Sequence, residues 1–337
     1  MDSLTHIVLG GCLGHLSLGK KAGRKAVVWG AIADTIPDLD VFAGFWVHPV
    51  DSLLIHRGFT HSILFAILCS IFGGWGLSQW YKKYEIPWKD WSLVMALGLS
   101  SHLFIDSLTN YGTGLLEPFS NIRFAYTTIF IADPAFTLPM LMAFVVLLRK
   151  KPSIDTKTTW AKYAIVISSI YLVWTFINRS HFETLFKNQF QVQKLSISDQ
   201  SLTPGPLNNV LWSTMARSDS GYYSGYHSLL GKDPNVKFTF IPANDQLSEG
   251  FGSQEEYLKL KRFAKGYSCI SLMDGTPYFH DLRFGTSTGW TDQLGRFTFS
   301  YPLERQAGDT AHLIKVNPWP QGGFEAMGAL WQKIKGN

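Results

Sequence analysis

The chain has 337 residues, of which 46% are hydrophobic and only 16% charged, with 12 Trp and 24 Phe. A soluble globular chain carries about a quarter charged residues, so this one is short of the surface that water requires, and the shortage falls mainly before residue 180. The formal charge of +5 is modest. Its basic residues gather at loop ends rather than in a stripe, which gives no case for nucleic acid, and none is expected as a partner.

Residues 3–18 form a short, glycine-rich apolar stretch containing His6 and His15. It is shorter than the roughly 20 residues that cross hydrocarbon. Lys20, Lys21, Arg24 and Lys25 follow as a basic turn, and the next apolar run, 26–36, ends in Asp34-Thr-Ile-Pro37-Asp38-Leu-Asp40. Pro37 disfavours helix at Ile36, which predicts Asp34 in a last helical turn and Asp38 and Asp40 on a bend. The N-terminus, Met-Asp-Ser, has no basic lead and predicts no cleavable signal peptide.

Further along come His56-Arg57-Gly-Phe-Thr-His61 and then 62–81, twenty residues without charge. Segments 91–108, 127–148 and 160–177 are further apolar candidates to span a membrane, with Asp133-Pro134 near the start of 127–148. Beyond Arg179 short alternating segments broken by Gly, Pro, Asn and Asp read as strands and turns. Strands are predicted at 192–197, 237–241 and 296–301, with a helix at 254–264. The fold class expected is a multi-pass α-helical membrane domain, 1–179, followed by a smaller soluble α+β domain, 180–337. Cys12, Cys69 and Cys269 are widely spaced, fit no metal motif and predict no disulfide framework.

The basic loops 20–25, 82–89 and 149–162 join alternate segment ends and so share one face, which the positive-inside rule makes cytoplasmic. The C-terminal domain then lies outside the cell membrane. His6, the 34–40 aspartates, His56 to His61, and His102 with Asp106 all fall at the outer ends of their segments. Ionisable groups at membrane depth are costly and mark function; four stretches bringing them to one level on one side predict a shared site.

On a helix, His102 and Asp106 share a face one turn apart and can grip one metal ion. Taken singly, each group has a plain alternative: a buried hydrogen-bonded pair for His102 and Asp106, turn formation for Asp34, Asp38 and Asp40, and snorkelling to head groups for Arg57. Arg57 otherwise offers a bidentate fork for phosphate or carboxylate. Asp133 caps or kinks a helix or supports the site; His15 lies toward the opposite end of its segment, His48 is given a surface role, and His181, His227, His280 and His312 lack readable carboxylate partners and are given structural or surface roles.

Met1-Asp-Ser-Leu-Thr-His6, Pro37-Asp-Leu-Asp40, His56-Arg-Gly-Phe-Thr-His61-Ser62, His102-Leu-Phe-Ile-Asp106 and Tyr111-Gly-Thr-Gly-Leu-Leu-Glu-Pro-Phe119 together resemble the YdjM family of membrane-bound metal-dependent hydrolases, over roughly residues 1–150. The resemblance implies a distant kinship to zinc-dependent phospholipase C and P1-type nucleases, with an all-helical site of clustered zinc ions. His6, Asp38, His61, His102 and Asp106 match that order. The further His/Glu set that those enzymes carry after His-x-x-x-Asp has no clear counterpart here, which implies one or two ions rather than three. The expected ion is zinc, with manganese second, held by Asp38, His61, His102 and Asp106, while His6 with Asp34 or Asp40 completes a second site. Asp34 or Asp40 is expected to take a proton from the attacking water, and Arg57 to stabilise charge on a phosphoryl oxygen. Membrane lipids and a lipid or other amphiphilic phosphoester are the partners expected. A cation-binding transport protein and a non-catalytic membrane scaffold are the alternatives.

Overall fold

A computed structural model describes residues 1–249, 254–286, 290, 297–303 and 324–336. The chain forms two compact units. One comprises Met1–Ala43, Ile55–Ile177 and Pro206–Asn208; the other comprises Gly44–Leu54, Asn178–Gly205 and Asn209–Asn337. The predicted role for His312 lies outside the described residues.

The first unit is helical. Helix α1, Ser3–Ala22, starts where the Asp2 carboxylate accepts the Thr5 N–H and stops at Gly23, whose φ is 59°. Helix α2, Arg24–Ala33, packs back on it. The crossing is so close that a Cβ on Gly30 would stand 2.2 Å from the Gly10 carbonyl oxygen. Only hydrogen side chains allow that approach, and it sets the height at which α1 delivers His6 beside the end of α2. The bend predicted after Pro37 is instead a 3-10 helix, Ile36–Phe45. Pro37 fits there because it stands at the second helical position, where its missing N–H costs no bond.

Helix α3, Pro49–Ile55, comes next in the chain and belongs to the second unit as far as Leu54. Helix α4, Ile63–Trp80, is capped by Ser62, whose hydroxyl accepts the Phe65 N–H. Helix α5, Trp88–Ser107, packs against it. The helix expected across 127–148 begins only at Pro134 and is α6, Pro134–Leu148. Asp133 caps it by accepting from Ala135 and Phe136, and Tyr171 donates to the same carboxylate at 2.7 Å. Proline at the first position and a capping aspartate before it explain the late start. Helix α7, Ile154–Val192, is the longest described, at 39 residues. Val8, Leu9 and Cys12 pack with Phe136, Met140 and Ala161 in one core. Ala33, Val94, Leu99 and Leu103 share a second.

Among the described residues two helices, α4 and α7, are long and apolar enough to cross a membrane. Helix α6 is apolar but shorter, and the serines, His102 and Asp106 of α5 lower its hydropathy.

In the second unit β1 (Asp199–Pro204), β2 (Leu211–Arg217), β3 (Gly221–Ser228) and β4 (Phe238–Pro242) form an antiparallel sheet in sequence order. Strands β5 (Ser268–Met273), β6 (Thr276–Thr286) and β7 (Phe297–Pro302) form another. Asp274 and Gly275, both at positive φ, make the tight turn between β5 and β6. Helix α8, Gln254–Phe263, and helix α9, Phe324–Ile334, complete the unit. The strand expected at 192–197 is absent, since α7 runs through Val192 and a turn follows. Its apolar residues serve a core instead: Leu195 and Ile197 pack with Phe186 and Trp212.

Candidate metal centre

Five elements of the helical unit meet at one point. Helix α1 brings His6, the end of α2 brings Asp34, the 3-10 helix brings Asp38 and Asp40, a short turn at Phe59–His61 brings His61, and the last turn of α5 brings His102 and Asp106. His6, Asp34, His61, His102 and Asp106 have no exposed surface.

The centre is a knot of four ligand atoms. His61 Nε2 lies 3.0 Å from His102 Nε2. Asp38 Oδ1 is 3.3 Å from the first and 3.6 Å from the second, and Asp106 Oδ2 is 3.5 Å from both. A tetrahedral zinc with bonds of about 2.0–2.1 Å holds its ligand atoms about 3.3 Å apart. The spacing therefore suits such an ion. Asp106 Oδ2 also lies 3.0 Å from Arg57 Nε, but out of line, so this buried oxygen accepts no hydrogen bond. A buried carboxylate oxygen without a donor is costly, and a cation among the four atoms removes that cost. Two imidazoles and two carboxylates are a donor set for a borderline divalent ion.

Each histidine is aimed by its other nitrogen. His102 Nδ1 donates to the backbone carbonyl of Asp34 at 2.6 Å. His61 Nδ1 faces Asp40 Oδ2 at 3.3 Å and Thr60 Oγ1 at 3.1 Å. His6 Nδ1 faces Asp34 Oδ1 at 2.9 Å, and its Nε2 faces Asp106 Oδ1 at 3.2 Å. Acceptors at Nδ1 fix the tautomer that presents Nε2 inward, as they do around metal-binding histidines generally. The His6 and His102 rings stack at 3.9 Å.

His6, Asp34 and His102 form a second possible metal group. Their atoms are already matched to one another in hydrogen bonds, and Ser101 donates to Asp34 Oδ2 at 2.7 Å. Asp106 joins the two groups, with one oxygen toward His6 and the other in the tetrahedral set.

The three aspartates after α2 separate. Asp38 and Asp40 are two apart on a helix of about three residues per turn, so they diverge. Asp38 points to the two imidazoles. Asp40 takes His56 Nδ1 at 2.7 Å, the Arg57 N–H at 3.0 Å and the Thr60 hydroxyl at 2.7 Å. It fixes the His56–His61 loop and orients His61. Arg57 points inward, with 4% exposure. One guanidinium nitrogen donates to Thr109 at 2.6 Å, and the ring of Tyr111 lies 5.0 Å from its centre. Its φ of 61° is unusual for a long side chain. Asp40 holds its N–H and the Gly114 N–H donates to its carbonyl, at 2.8 Å, which keep the backbone there.

Burial opposes the charge on His61, but hydrogen bonds to Asp106, Asp38 and Asp40 outweigh it and hold the imidazole up at about 9. Burial also raises Asp38, yet His61 and the nearby His102 bring it down to about 2. Asp38 is the opening of the centre: its side chain is 18% exposed, against none for His61, His102 and Asp106. The Met1 backbone nitrogen against Asp106 Oδ1 is a contact that no motif signals. The Asp34 carbonyl, which aims His102, is likewise invisible to side-chain pattern.

Residues 1–182 match the model of the family described as YdjM inner membrane protein. The chain belongs to the YdjM family. It is 34% identical over 128 residues to Inner membrane protein YbcI of Escherichia coli K12, covering 36% of this chain and 69% of that protein. It is 30% identical over 155 residues to YfhP of Bacillus subtilis 168, covering 43% of this chain and 46% of that protein. No solved structure matches.

Proposed function

We propose that the chain is a multi-pass, membrane-bound, metal-dependent hydrolase that cleaves a phosphoester of a lipid or another amphiphile. The four-atom set of Asp38, His61, His102 and Asp106, with spacings of 3.0–3.6 Å and an Asp106 oxygen that accepts no hydrogen bond, is the observation that carries this reading. The ion is zinc, or manganese; when bound it activates water at neutral pH and draws charge from a phosphoryl oxygen. His6 and Asp34 bind a second ion or brace the first through Asp106. The order of the ligands along the chain supports a phospholipase C-like site, and the positive-inside reading of the basic loops supports an outer-face C-terminal unit.

His61, His102 and Asp106 would hold the ion while Asp38, whose carboxylate alone among the four is open to solvent, would yield its position to water and take that water's proton. Asp34 and Asp40, the two aspartates expected for that task, have their oxygens engaged by His6, Ser101, His56, Thr60 and the Arg57 N–H. Arg57 acts through Asp106, balancing its charge rather than touching the substrate.

The reading is tested on detergent-purified protein loaded with zinc or manganese, mixed with vesicles of phosphatidylethanolamine and phosphatidic acid. Phosphate or head-group release is expected from wild type and at least 100-fold less from Asp38→Asn and His61→Ala. A fully metal-loaded protein that releases neither from these vesicles contradicts it.

A further inference from the structure

Helices α4 and α5 enclose a groove of about 890 Å³, within the usual 300–1,000 Å³ or so of ligand cavities. Ala66, Ser70, Ser92 and Ala96 line it with small side chains, of which Ala66 and Ser70 are buried. Large, half-exposed apolar groups stand along it: Ile63, Ile67, Leu93 and Phe104. Small residues beneath and branched or aromatic ones beside them leave an apolar slot running along both helices.

The two ends differ. Trp88 and Lys89 close one. Ser107, Leu115 and Tyr126 close the other, where the Ile63 N–H donates to the Leu115 carbonyl at 3.0 Å and the Tyr126 N–H to the Ser107 carbonyl at 2.8 Å. Ser107 follows Asp106, and Ile63 stands two residues after His61. The slot therefore ends on the two segments that carry ligand atoms. The 20 residues of α5 that border it span about 30 Å, at about 1.5 Å each, close to the thickness of a bilayer's hydrocarbon. Near the metal end the surface continues apolar: Leu39, Phe59, Phe119 and Ile122 are 44–84% exposed. These come from the 3-10 helix, the His61 turn and the loop tied to Arg57 through Gly114. Helix α4 is itself one of the two apolar helices long enough to cross a membrane, so the slot opens toward hydrocarbon rather than water.

We infer that the α4–α5 groove seats an acyl chain of a bilayer phospholipid, with the head group turned toward the metal centre. This inference rests on the hydrolase reading for the head-group end and deepens it, because it makes the substrate a lipid drawn sideways from the bilayer. Chain length and unsaturation would then affect binding through the groove, while the chemistry stays with the ligands.

The test uses the full chain in phosphatidylethanolamine vesicles containing phosphatidylglycerol with a photoreactive diazirine at mid-chain. After illumination, lipid adducts are mapped by peptide mass spectrometry, and metal content is measured on the same samples. At least fivefold more adduct is expected on α4 and α5 than on the apolar face of α6 or on α7 away from Phe176, which also lines the groove. Ala96→Trp and Ser70→Trp, which fill the slot, are expected to cut the α4–α5 adducts at least fivefold. Metal content at the wild-type level marks a variant as folded. Adducts spread evenly over all four helices, or undiminished in both metal-retaining variants, overturn the inference. Groove labelling in a wild type that binds no metal leaves the chain site standing and removes the hydrolase. Metal and activity without groove labelling do the reverse.

Discussion

His61 and His102 turn their Nε2 atoms toward each other at 3.0 Å, although they stand 41 residues apart and on different elements. Each ring is turned that way by an acceptor at Nδ1: the Asp40 carboxylate and Thr60 hydroxyl for His61, the Asp34 carbonyl for His102. Two imidazoles aimed at one point, flanked by Asp38 and Asp106, are a preformed ligand set.

Removing the carboxylate that orients His61 should therefore weaken metal binding without removing a ligand. Asp40→Asn keeps the shape but weakens the hold on His56, Thr60 and the Arg57 N–H. Zinc affinity is expected to fall about 10- to 100-fold, the usual effect of losing such a partner. Competition with a fluorescent chelator measures it; unchanged affinity would mean that Asp40 only holds the loop.

Arg57 and Asp106 form a buried ion pair at 3.0 Å. Arg57→Ala leaves the carboxylate with less compensation, at a cost of about 3 kcal/mol in the metal-free protein. Zinc supplies positive charge to the same oxygen, so the loss in melting temperature should be smaller with zinc than with a chelator. Thermal unfolding in both conditions decides it, and equal losses would contradict the account.

Gly98 sets the distance between α5 and the end of α2. A Cβ there would lie 2.7 Å from Ala33 Cβ and 3.0 Å from the Asp34 nitrogen. Gly98→Leu is expected to push α5 away, break the bond from His102 to the Asp34 carbonyl, and lower zinc affinity at least tenfold. Circular dichroism should show helix content retained. Full affinity in this variant would show that the approach of the two helices is irrelevant to the site.

In the second unit His280 is 2% exposed between the Ser271 and Ser300 hydroxyls, at 2.7 and 2.8 Å. Burial alone pushes its imidazole down to about 4, from an ordinary 6.5. The unfolded chain thus binds the proton first, and stability present above pH 6.5 is lost as pH falls toward 4, by about 3 kcal/mol. Hydrogen exchange of β5 and β6, corrected for intrinsic rates, should show protection falling between pH 7 and 4.5. His280→Gln should remove that dependence; an identical fall in the variant would assign it elsewhere.

Much of the centre was legible in the chain. His102 and Asp106, four apart on α5, face one point as helical spacing requires, and His61 and Asp38 join them from segments that each end an apolar run. The hold of Asp40 on His56, Thr60 and the Arg57 N–H, and the inward turn of Arg57, were not legible, because sequence shows which groups are present but not which way a two-residue step on a 3-10 helix or a left-handed backbone turns them. The aiming of His102 by a backbone carbonyl leaves no trace in side-chain types. In the fold, 237–241 and 296–301 announced β4 and β7 by alternation. The same signal at 192–197 failed, since its apolar residues pack at the end of a helix rather than on a sheet. Helix α6 began seven residues later than hydropathy suggested, because Asp133-Pro134 makes a better start than any apolar residue before it.

The central claim is that Asp38, His61, His102 and Asp106 hold a divalent ion, and metal content by mass spectrometry tests it most directly. Detergent-purified wild type should carry zinc or manganese at about one or two per chain, the coordination such donor sets supply. His102→Ala and Asp106→Ala, folded by circular dichroism, should carry none at the four-atom position. A wild type that remains without metal after reconstitution with both ions, or variants that retain it fully, would contradict the account.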